Sequence, residues 1–307
     1  ESSNEKNLKK LSRLDEVISD LGFSWENKKG GLIKISNKTL QGKVTEMRKS
    51  GLNIMMSMKT EQKPVSFVED CAVKLENLAD YTNDLKKIFK KYDVEGTWYA
   101  HASVGYLHVR PVLNMKLKHD VYKMRNIAEE ASQLVKKYHG SFSGEHGDGI
   151  VRSEFIEVMF GKKMNKIFKK IKNSFDPNNI FNPGKIIDAP KMDDRNYFRF
   201  SPGYEAKDIS SILDWSAWKG KSSGFLGAVE MCNNNGACRK LDNGVMCPSY
   251  RATLDEKDST RGRANTLRLA LTGQLGDDAL TSKNMTETMN LCVSCKACKR
   301  ECPTGVD

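Results

Sequence analysis

Four closely spaced cysteines near the end of the chain form its strongest chemical motif. They lie in the stretch LCVSCKACKRECPTG, with C-x-x-C-x-x-C-x-x-x-C-P spacing: Cys292, Cys295, Cys298 and Cys302. Thiolates three residues apart in a loop that leads into a helix can face neighbouring corners of one small inorganic cube, as iron–sulfur clusters require. A fourth cysteine followed by proline is typical of a ligand to a second cluster. The motif therefore predicts one-electron transfer through iron–sulfur clusters.

An upstream group of cysteines supplies further ligands, and its last member is followed by Pro248. The usual crossover between the two groups gives two sets: Cys247, Cys292, Cys295 and Cys298 for the first, and Cys232, Cys238 and Cys302 for the second. The second set is one cysteine short. The sequence leaves open a three-iron cluster, a four-iron cluster with a non-cysteine ligand, and a ligand beyond Asp307.

Zinc is the alternative metal, but tetrahedral zinc sites do not require the C-x-x-C-x-x-C-x-x-x-C-P order. Seven of the eight cysteines follow residue 230. This segregation indicates a metal-binding module in a reducing compartment and argues against a disulfide framework. The remaining cysteine, Cys71, is expected to be an inert buried thiol.

A second set of residues suited to chemistry combines histidines with a glutamate. Three of the five histidines lie in two unusual stretches, HASVGYLH (101–108) and SGEHGDG (143–149). His101 and His108 would face opposite sides of an unbroken strand, but Gly105 allows a turn that brings both imidazoles together. With Glu145 they would offer two neutral nitrogens and a carboxylate to a divalent metal, leaving His146 as a base. The alternative is that the histidines have a purely structural role, with their hydrogen bonds made within the protein, and that Gly-Glu-His-Gly is only a tight turn.

Composition limits the classes of protein to consider. The 307 residues, 38% of them hydrophobic, are sufficient for one large domain or two ordinary ones. No run approaches the roughly 18 apolar residues of a transmembrane segment, so we expect a soluble cytoplasmic protein, with peripheral attachment at the inner face of the membrane as the alternative. The net charge of +11 comes largely from lysines on helical faces, and no nucleic-acid partner is expected.

The elements that would position these residues indicate an α+β fold, an antiparallel sheet with helices on one face, followed by a mostly helical part. Helices are predicted over 1–22, over a stretch that follows residue 73 and runs to about residue 92, and over about 160–174. A further long helix is predicted to carry apolar residues from Tyr122 to Tyr138 on one side and to end at Gly140. Extended segments are predicted at 31–36, at 51–59 and on both sides of the histidine stretch. We expect domains over 1–190 and 221–307, joined by a linker over 191–220 with prolines and tryptophans. The absence of an initiator Met predicts a piece of a longer polypeptide, truncated in its second domain.

Several motifs together carry a family resemblance: HASVGYLH, SGEHGDGIVRSEF and FDPNNIFNPGKI. On these, the first domain resembles the C-terminal substrate domain of FAD-linked oxidases of the vanillyl-alcohol-oxidase type, in the branch of D-2-hydroxyglutarate, D-lactate and glycolate dehydrogenases. On CRKLDNGVMCPSY, STRGRANTLR and the cysteine motif, the second domain resembles the ferredoxin-type extension fused to such oxidases in large bacterial FAD and iron–sulfur proteins. The FAD-binding domain that normally precedes residue 1 is absent from this sequence.

The resemblance implies roles for individual residues. In the D-2-hydroxyglutarate dehydrogenases that this chain resembles, two histidines and a glutamate hold a zinc ion, and the zinc binds the α-hydroxy acid. The resemblance assigns these ligand positions to His101, His108 and Glu145. His146 matches the proposed base, which removes the hydroxyl proton while a hydride passes to the flavin.

Further positions follow from the same resemblance. Arg48 and Lys63 match cations that bind the substrate carboxylates, and Arg110 stands where a substrate-contacting Asn is common. Gly144 would let the backbone approach a flat cofactor, and Asn182 of the NPGK turn would contact the flavin. The family's Gly-Asp-Gly-Asn between the histidines is replaced by SVGY in this chain.

These observations lead to one function and several alternatives. We expect an FAD- and iron–sulfur-dependent D-2-hydroxy-acid dehydrogenase, acting on D-2-hydroxyglutarate, with one or two 4Fe-4S clusters that deliver electrons to a quinone or a carrier protein. A D-lactate or glycolate dehydrogenase is the nearest alternative. A non-catalytic iron–sulfur electron-transfer subunit and a basic zinc protein that binds nucleic acid are the others. The chain alone is not expected to turn over.

Overall fold

The structure, a computed structural model, describes residues 4–26, 29–207, 209, 211–218 and 224–307. The chain divides into two compact units, Glu1–Leu52 and Asn53–Asp307. The second unit contains the histidine stretches and all eight cysteines. The fold of this second unit therefore positions the candidate chemistry.

Helices make up most of the regular structure, and they confirm the α+β prediction together with a small antiparallel sheet. Their bounds are α1 (Asn4–Asp20), α2 (Lys38–Met56), α3 (Leu78–Lys91), α4 (Lys118–Lys137), α5 (Gly149–Ser153), α6 (Ile156–Phe175), α7 (Phe225–Glu230), α8 (Pro248–Thr253), α9 (Thr260–Leu271), α10 (Lys283–Asn290) and α11 (Ala297–Glu301). Within the described ranges, no helix combines the length and apolarity that crossing a bilayer requires.

Four strands, β1 (Lys63–Pro64), β2 (Cys71–Ala72), β3 (Gly96–His101) and β4 (Tyr106–Leu113), form the sheet. β4 is central: it pairs with β3 along one edge and with β1 and β2 along the other, always antiparallel. Helices α3 and α4 pack on each other, and their apolar residues meet those of β4 in one core. Tyr81, Leu85, Val109, Ile127 and Val135 are fully buried in that core.

A tight turn at Gly105 connects β3 to β4. Gly105 has a φ of 76°, in the left-handed region that glycine adopts without strain. Its carbonyl accepts a hydrogen bond from the backbone of Val73 at 3.0 Å, and a Cβ on Gly105 would collide with the Val73 carbonyl oxygen. Glycine is therefore required both for the turn and for the close approach of the neighbouring strand.

The extended structure predicted for 31–36 and 51–59 is wrong. Residues 31–37 have no regular secondary structure, and α2 extends to Met56. The side chain of Asn37 accepts a hydrogen bond from the backbone of Leu40 at 3.0 Å, as a helix cap does. Apolar runs such as LNIMM fit either a strand or a helix, and this capping contact favours the helix.

Replacing Gly105 by Ala is expected to lower the free energy of unfolding by about 2–4 kcal/mol, because a left-handed φ and a steric collision both oppose the side chain. Gly203 is the matched control: its φ is 75°, and nothing lies within 4 Å of the position where its Cβ would be. Gly203→Ala should cost only about 1–2 kcal/mol. Anaerobic urea denaturation measures the free energy of unfolding of both variants. Equal midpoints for the two variants would contradict the predicted collision at residue 105.

Candidate functional site

The β3–β4 hairpin brings His101 and His108 to the same face of the sheet. Tyr99 pairs with His108, and His101 pairs with Tyr106. The two imidazole centroids lie 4.9 Å apart. The side chain of His101 is 43% exposed, whereas that of His108 is 2% exposed, so the pair spans the boundary between core and solvent.

The carboxylate of Asp70 holds the loop that carries Glu145 and His146. It accepts hydrogen bonds from the backbone N–H groups of Gly144, Glu145 and His146, each at 2.9 Å. Burial raises the pKa of this carboxyl, but the backbone bonds from Glu145 and His146 outweigh burial and hold the pKa below its ordinary value. At Gly144 a side chain would collide with the ring of Tyr106. The loop is therefore closely seated on the hairpin.

Three imidazoles converge on one carboxylate oxygen, Oε1 of Glu145. The Nε2 atom of His108 lies 3.1 Å from it, that of His101 3.4 Å and that of His146 3.5 Å. The ring of His108 also stacks on that of His146, with centroids 5.0 Å apart. Imidazole nitrogens and a carboxylate oxygen at this spacing are suited to a divalent transition metal.

Asp70 is also close enough to be a metal ligand. One ligand atom from each of Asp70, His108, Glu145 and His146 lies within 4.8 Å of the others. The Asp70 oxygens already accept three backbone hydrogen bonds, so Glu145 and the imidazoles retain more unused lone pairs. This difference favours Asp70 as the support of the loop.

The environment of His108 favours the neutral form of its imidazole. Burial lowers the pKa of His108, and the neighbouring His146 lowers it further. Its Nδ1 is buried and has no hydrogen-bond partner among the described residues. A neutral imidazole is the form that ligates metals.

Glu69 connects the histidine cluster to a buried cation. Its Oε1 lies 3.5 Å from Nδ1 of His146, and its other oxygen accepts a hydrogen bond from Nε of Arg110. Burial raises the pKa of Glu69, but hydrogen bonds from Ser66 and Arg110 outweigh burial and hold it below its ordinary value. Arg152 donates to the backbone carbonyls of Glu69 and Gly147.

The sequence prediction missed Glu69 and Asp70. The signal was present, since two consecutive carboxylates directly follow the apolar stretch VSFV and precede the buried Cys71. Acidic residues next to a buried strand are rarely without a partner. Arg110, expected to contact the substrate, is 9% exposed and forms an ion pair with Glu69.

Lys63 is an expected site residue that the structure separates from the histidine cluster. Lys63 pairs with Leu113, five residues along β4 from His108, which corresponds to roughly 17 Å. The structure does not bring it to the histidine cluster. Arg48 is an exposed residue of α2 in the first unit. Asn182 is exposed, with a left-handed φ of 46°, and its side-chain oxygen accepts a hydrogen bond from Lys185 at 3.3 Å.

The first cysteine set faces one cavity of about 240 Å³, which is lined by Cys247, Cys292, Cys295 and Cys298. Arg263 lies close to it, with Nη1 3.4 Å from the Sγ of Cys247. Burial raises the pKa of Cys247, but a hydrogen bond from Ser249 and the charge of Arg263 outweigh it and hold the pKa below its ordinary value. This environment favours the thiolate, the form that binds metal.

The second cysteine set is more deeply buried. Cys302 packs with Cys232 in one apolar cluster and with Cys238 in a second. The position midway between Cys232 and Cys238 is Asn235, whose side-chain oxygen accepts a hydrogen bond from the backbone of Ala237 at 2.8 Å. The amide of Asn235 is thus engaged within its own loop.

The cysteines of both sets are free thiols, so none of them is used in a disulfide. Thiolates bind zinc as well as iron–sulfur clusters, and the C-x-x-C-x-x-C-x-x-x-C-P order of the sequence favours the clusters.

Comparison with known proteins places these features in a family. Residues 26–186 match the family described as FAD linked oxidases, C-terminal domain, and residues 228–306 match the 4Fe-4S dicluster domain. The chain is 32% identical to D-2-hydroxyglutarate dehydrogenase of Pseudomonas putida over 297 residues, which is 86% of this chain and 29% of that protein.

Other relatives show the same pattern. D-2-hydroxyglutarate dehydrogenase of Escherichia coli is 31% identical over 86% of this chain and 29% of that protein, and D-lactate dehydrogenase of Archaeoglobus fulgidus is 30% identical over 41% and 28%. The chain thus spans less than a third of the length of these relatives. On the match over residues 26–186, which exceeds half of the chain, it belongs to the FAD-linked oxidases and carries their C-terminal domain, followed by a 4Fe-4S dicluster domain.

Proposed function

We propose that the complete protein is an FAD-dependent D-2-hydroxy-acid dehydrogenase that converts D-2-hydroxyglutarate to 2-oxoglutarate. The observation that carries the proposal is the convergence of three imidazoles on Glu145, in a chain related to proteins named D-2-hydroxyglutarate dehydrogenase. In this proposal the chain supplies the residues that bind and deprotonate the hydroxy acid. It also supplies the cysteine ligands of the iron–sulfur clusters that would carry the electrons away.

His101, His108 and Glu145 would hold a divalent metal, with zinc as the proposed ion. The neutral imidazole of His108 and the oxygen of Glu145 at 3.1 Å support this set. A bound Zn²⁺ would lower the pKa of the substrate hydroxyl and orient it. The exposure of His101 and Glu145 leaves the outer side of the site open to substrate.

His146 would be the base. Its Nδ1 lies 3.5 Å from the carboxylate of Glu69, and its Nε2 lies 3.5 Å from Oε1 of Glu145, so a substrate hydroxyl held beside Glu145 would be within reach of Nε2. The anionic Glu69 stabilises the imidazolium that results, and Arg110 fixes Glu69 in place. When this proton leaves the hydroxyl and a hydride leaves the α-carbon, the alcohol becomes a ketone.

FAD would supply the acceptor for the hydride, and the two cysteine sets would carry the electrons onward one at a time to a quinone or a carrier protein. Arg48 remains the proposed ligand for a substrate carboxylate, together with Gly144 and Asn182 as proposed contacts of the flavin. Domains over 1–190 and 221–307, and a cytoplasmic location, belong to the same proposal.

D-lactate oxidation is a second candidate, favoured by the relative from Archaeoglobus fulgidus. A purely electron-transferring subunit is less favoured, because it would have no use for the histidine cluster. Flavin reduction by a panel of D-2-hydroxy acids separates the substrates. The proposal expects D-2-hydroxyglutarate to reduce the flavin fastest.

Glu145→Gln in the full-length protein is expected to lower the affinity for Zn²⁺ at least tenfold, because it removes the one anionic oxygen on which the imidazoles converge. Glu157→Gln, on the surface of α6, is the matched control. Competition with a zinc-binding dye measures both affinities. Unchanged zinc binding in Glu145→Gln would contradict the assigned ligand set.

His146→Ala is expected to slow flavin reduction by D-2-hydroxyglutarate about 10²- to 10⁴-fold, because the hydroxyl proton loses its acceptor. His139→Asn is the control, since His139 is exposed and has a left-handed φ of 52° that Asn tolerates. Anaerobic stopped-flow absorbance gives the rates, and zinc content shows that the metal site persists. A rate within twofold of the unmodified protein would remove His146 from the role of base.

Cys295→Ser and Cys302→Ser are expected to abolish different paramagnetic signals, because the two cysteines belong to different sets. Each should also lose about three or four iron atoms per chain. Cys71→Ser is the control, since Cys71 belongs to neither cysteine set and is buried in the core formed with α3, α4 and β4. Iron analysis and electron paramagnetic resonance of the reduced proteins distinguish the cases. Loss of the same signal in both variants would indicate one shared cluster.

A further inference from the structure

A second cavity, distinct from the histidine cluster, lies between β1, the segment that precedes α4, and α7. Its volume is about 380 Å³, and the charged residues in its wall are Lys59, Glu61, Lys63, Lys116, Arg199 and Glu230. We call it the basic cavity. Four cations face two carboxylates there, which leaves an excess of two positive charges.

The two carboxylates of the basic cavity are already engaged. Lys116, whose side chain is 7% exposed, lies 3.3 Å from Glu61 and 2.6 Å from Glu230. Glu230 also accepts a hydrogen bond from the hydroxyl of Tyr204 at 2.6 Å. Lys116 therefore neutralises much of the negative charge of Glu61 and Glu230. The excess positive charge of the cavity is carried by its other cations.

Arg199 carries much of that remaining charge. Its Nη1 donates to the backbone carbonyl of Cys232 at 2.7 Å, but Nε and Nη2 are buried and have no hydrogen-bond partner among the described residues. Buried guanidinium groups are normally paired, because an unmade hydrogen bond to a charged group is costly.

Lys63 provides the second excess charge. Its Nζ bonds the backbone carbonyl of Met58 and lies 3.7 Å from the sulfur of Met231. Burial lowers the pKa of Lys63 to about 8 despite the carboxylate of Glu230, and Lys116 and Arg199 lower it further. A compact ammonium and a planar guanidinium in one cavity are a combination that binds carboxylates and phosphates.

We propose that the basic cavity binds a small dianion, either a short dicarboxylate or inorganic phosphate, between Arg199 and Lys63. The dianion would neutralise the two excess charges and supply acceptors to the unpaired guanidinium N–H groups. The cavity volume lies within the range of small-molecule sites. The hydrogen bond from Arg199 to Cys232 joins the site to the second cysteine set. The proposal is independent of the proposed function, since it uses none of the histidine cluster.

Anaerobic isothermal titration calorimetry of the cluster-containing full-length protein tests the site with succinate, inorganic phosphate and acetate at constant ionic strength. Succinate, phosphate or both should bind at one site per chain, and acetate should bind at least tenfold more weakly. The comparison of succinate with phosphate identifies the ligand class. Equal affinity for acetate would mean an adventitious ion only and would overturn the proposal, as would the absence of saturable heat with every probe.

Variants locate the binding. Arg199→Gln and Lys63→Met should each weaken dianion binding at least tenfold. Lys207→Gln, which removes a half-buried cation outside the cavity wall that is paired with Asp277, should leave dianion binding unchanged. The iron content of each variant verifies that it is folded. Arg199→Lys should retain part of the affinity for the dianion that Arg199→Gln loses. Binding that survives both Arg199→Gln and Lys63→Met overturns the proposal. Binding that is lost in Glu145→Gln instead belongs to the histidine cluster and overturns it as well.

Discussion

The geometry of the candidate active site depends on one buried carboxylate. Asp70 accepts backbone hydrogen bonds from three consecutive residues, 144–146, and so fixes the loop against the β3–β4 hairpin. Hydrogen bonds to a charged group contribute roughly 1.5–3 kcal/mol each, which is enough to hold a glycine-rich loop whose chain entropy opposes order. Backbone hydrogen bonds between Ser141 and Ala72, and from Gly144 to the carbonyl of Asp70, hold the same loop next to the hairpin.

The proposed function assigns bond breaking and electron transfer to different parts of the second unit. Histidines and carboxylates surround one open site, where a hydroxy acid could lose a proton and a hydride. Seven of the eight cysteines lie in the helical part of the same unit, in one partly exposed set and one more deeply buried set. A flavin takes up two electrons together and a cluster takes one, so clusters next to the flavin would divide the electron pair for one-electron transfer.

Local patterns were sufficient to predict much of this arrangement. The spacing of the cysteines predicted two sets, and Gly105 predicted the turn between the histidines. Contacts that join distant parts of the chain were not predictable from those patterns. Glu69 and Asp70 act on residues more than 70 positions away, and the pairing of Lys63 with Leu113 separates that lysine from the site assigned to it. The run 51–59 was misassigned because an apolar segment of that length fits a strand and a helix equally well.

The most direct test follows one anaerobic turnover of the full-length protein with D-2-hydroxyglutarate that carries deuterium at the α-carbon. Stopped-flow absorbance reports the flavin, and rapid-freeze electron paramagnetic resonance reports the clusters. The account predicts that the flavin is reduced first, with a primary isotope effect, and that the clusters are reduced afterwards. Cluster reduction that precedes flavin reduction, or flavin reduction that D-2-hydroxyglutarate cannot drive, would contradict it.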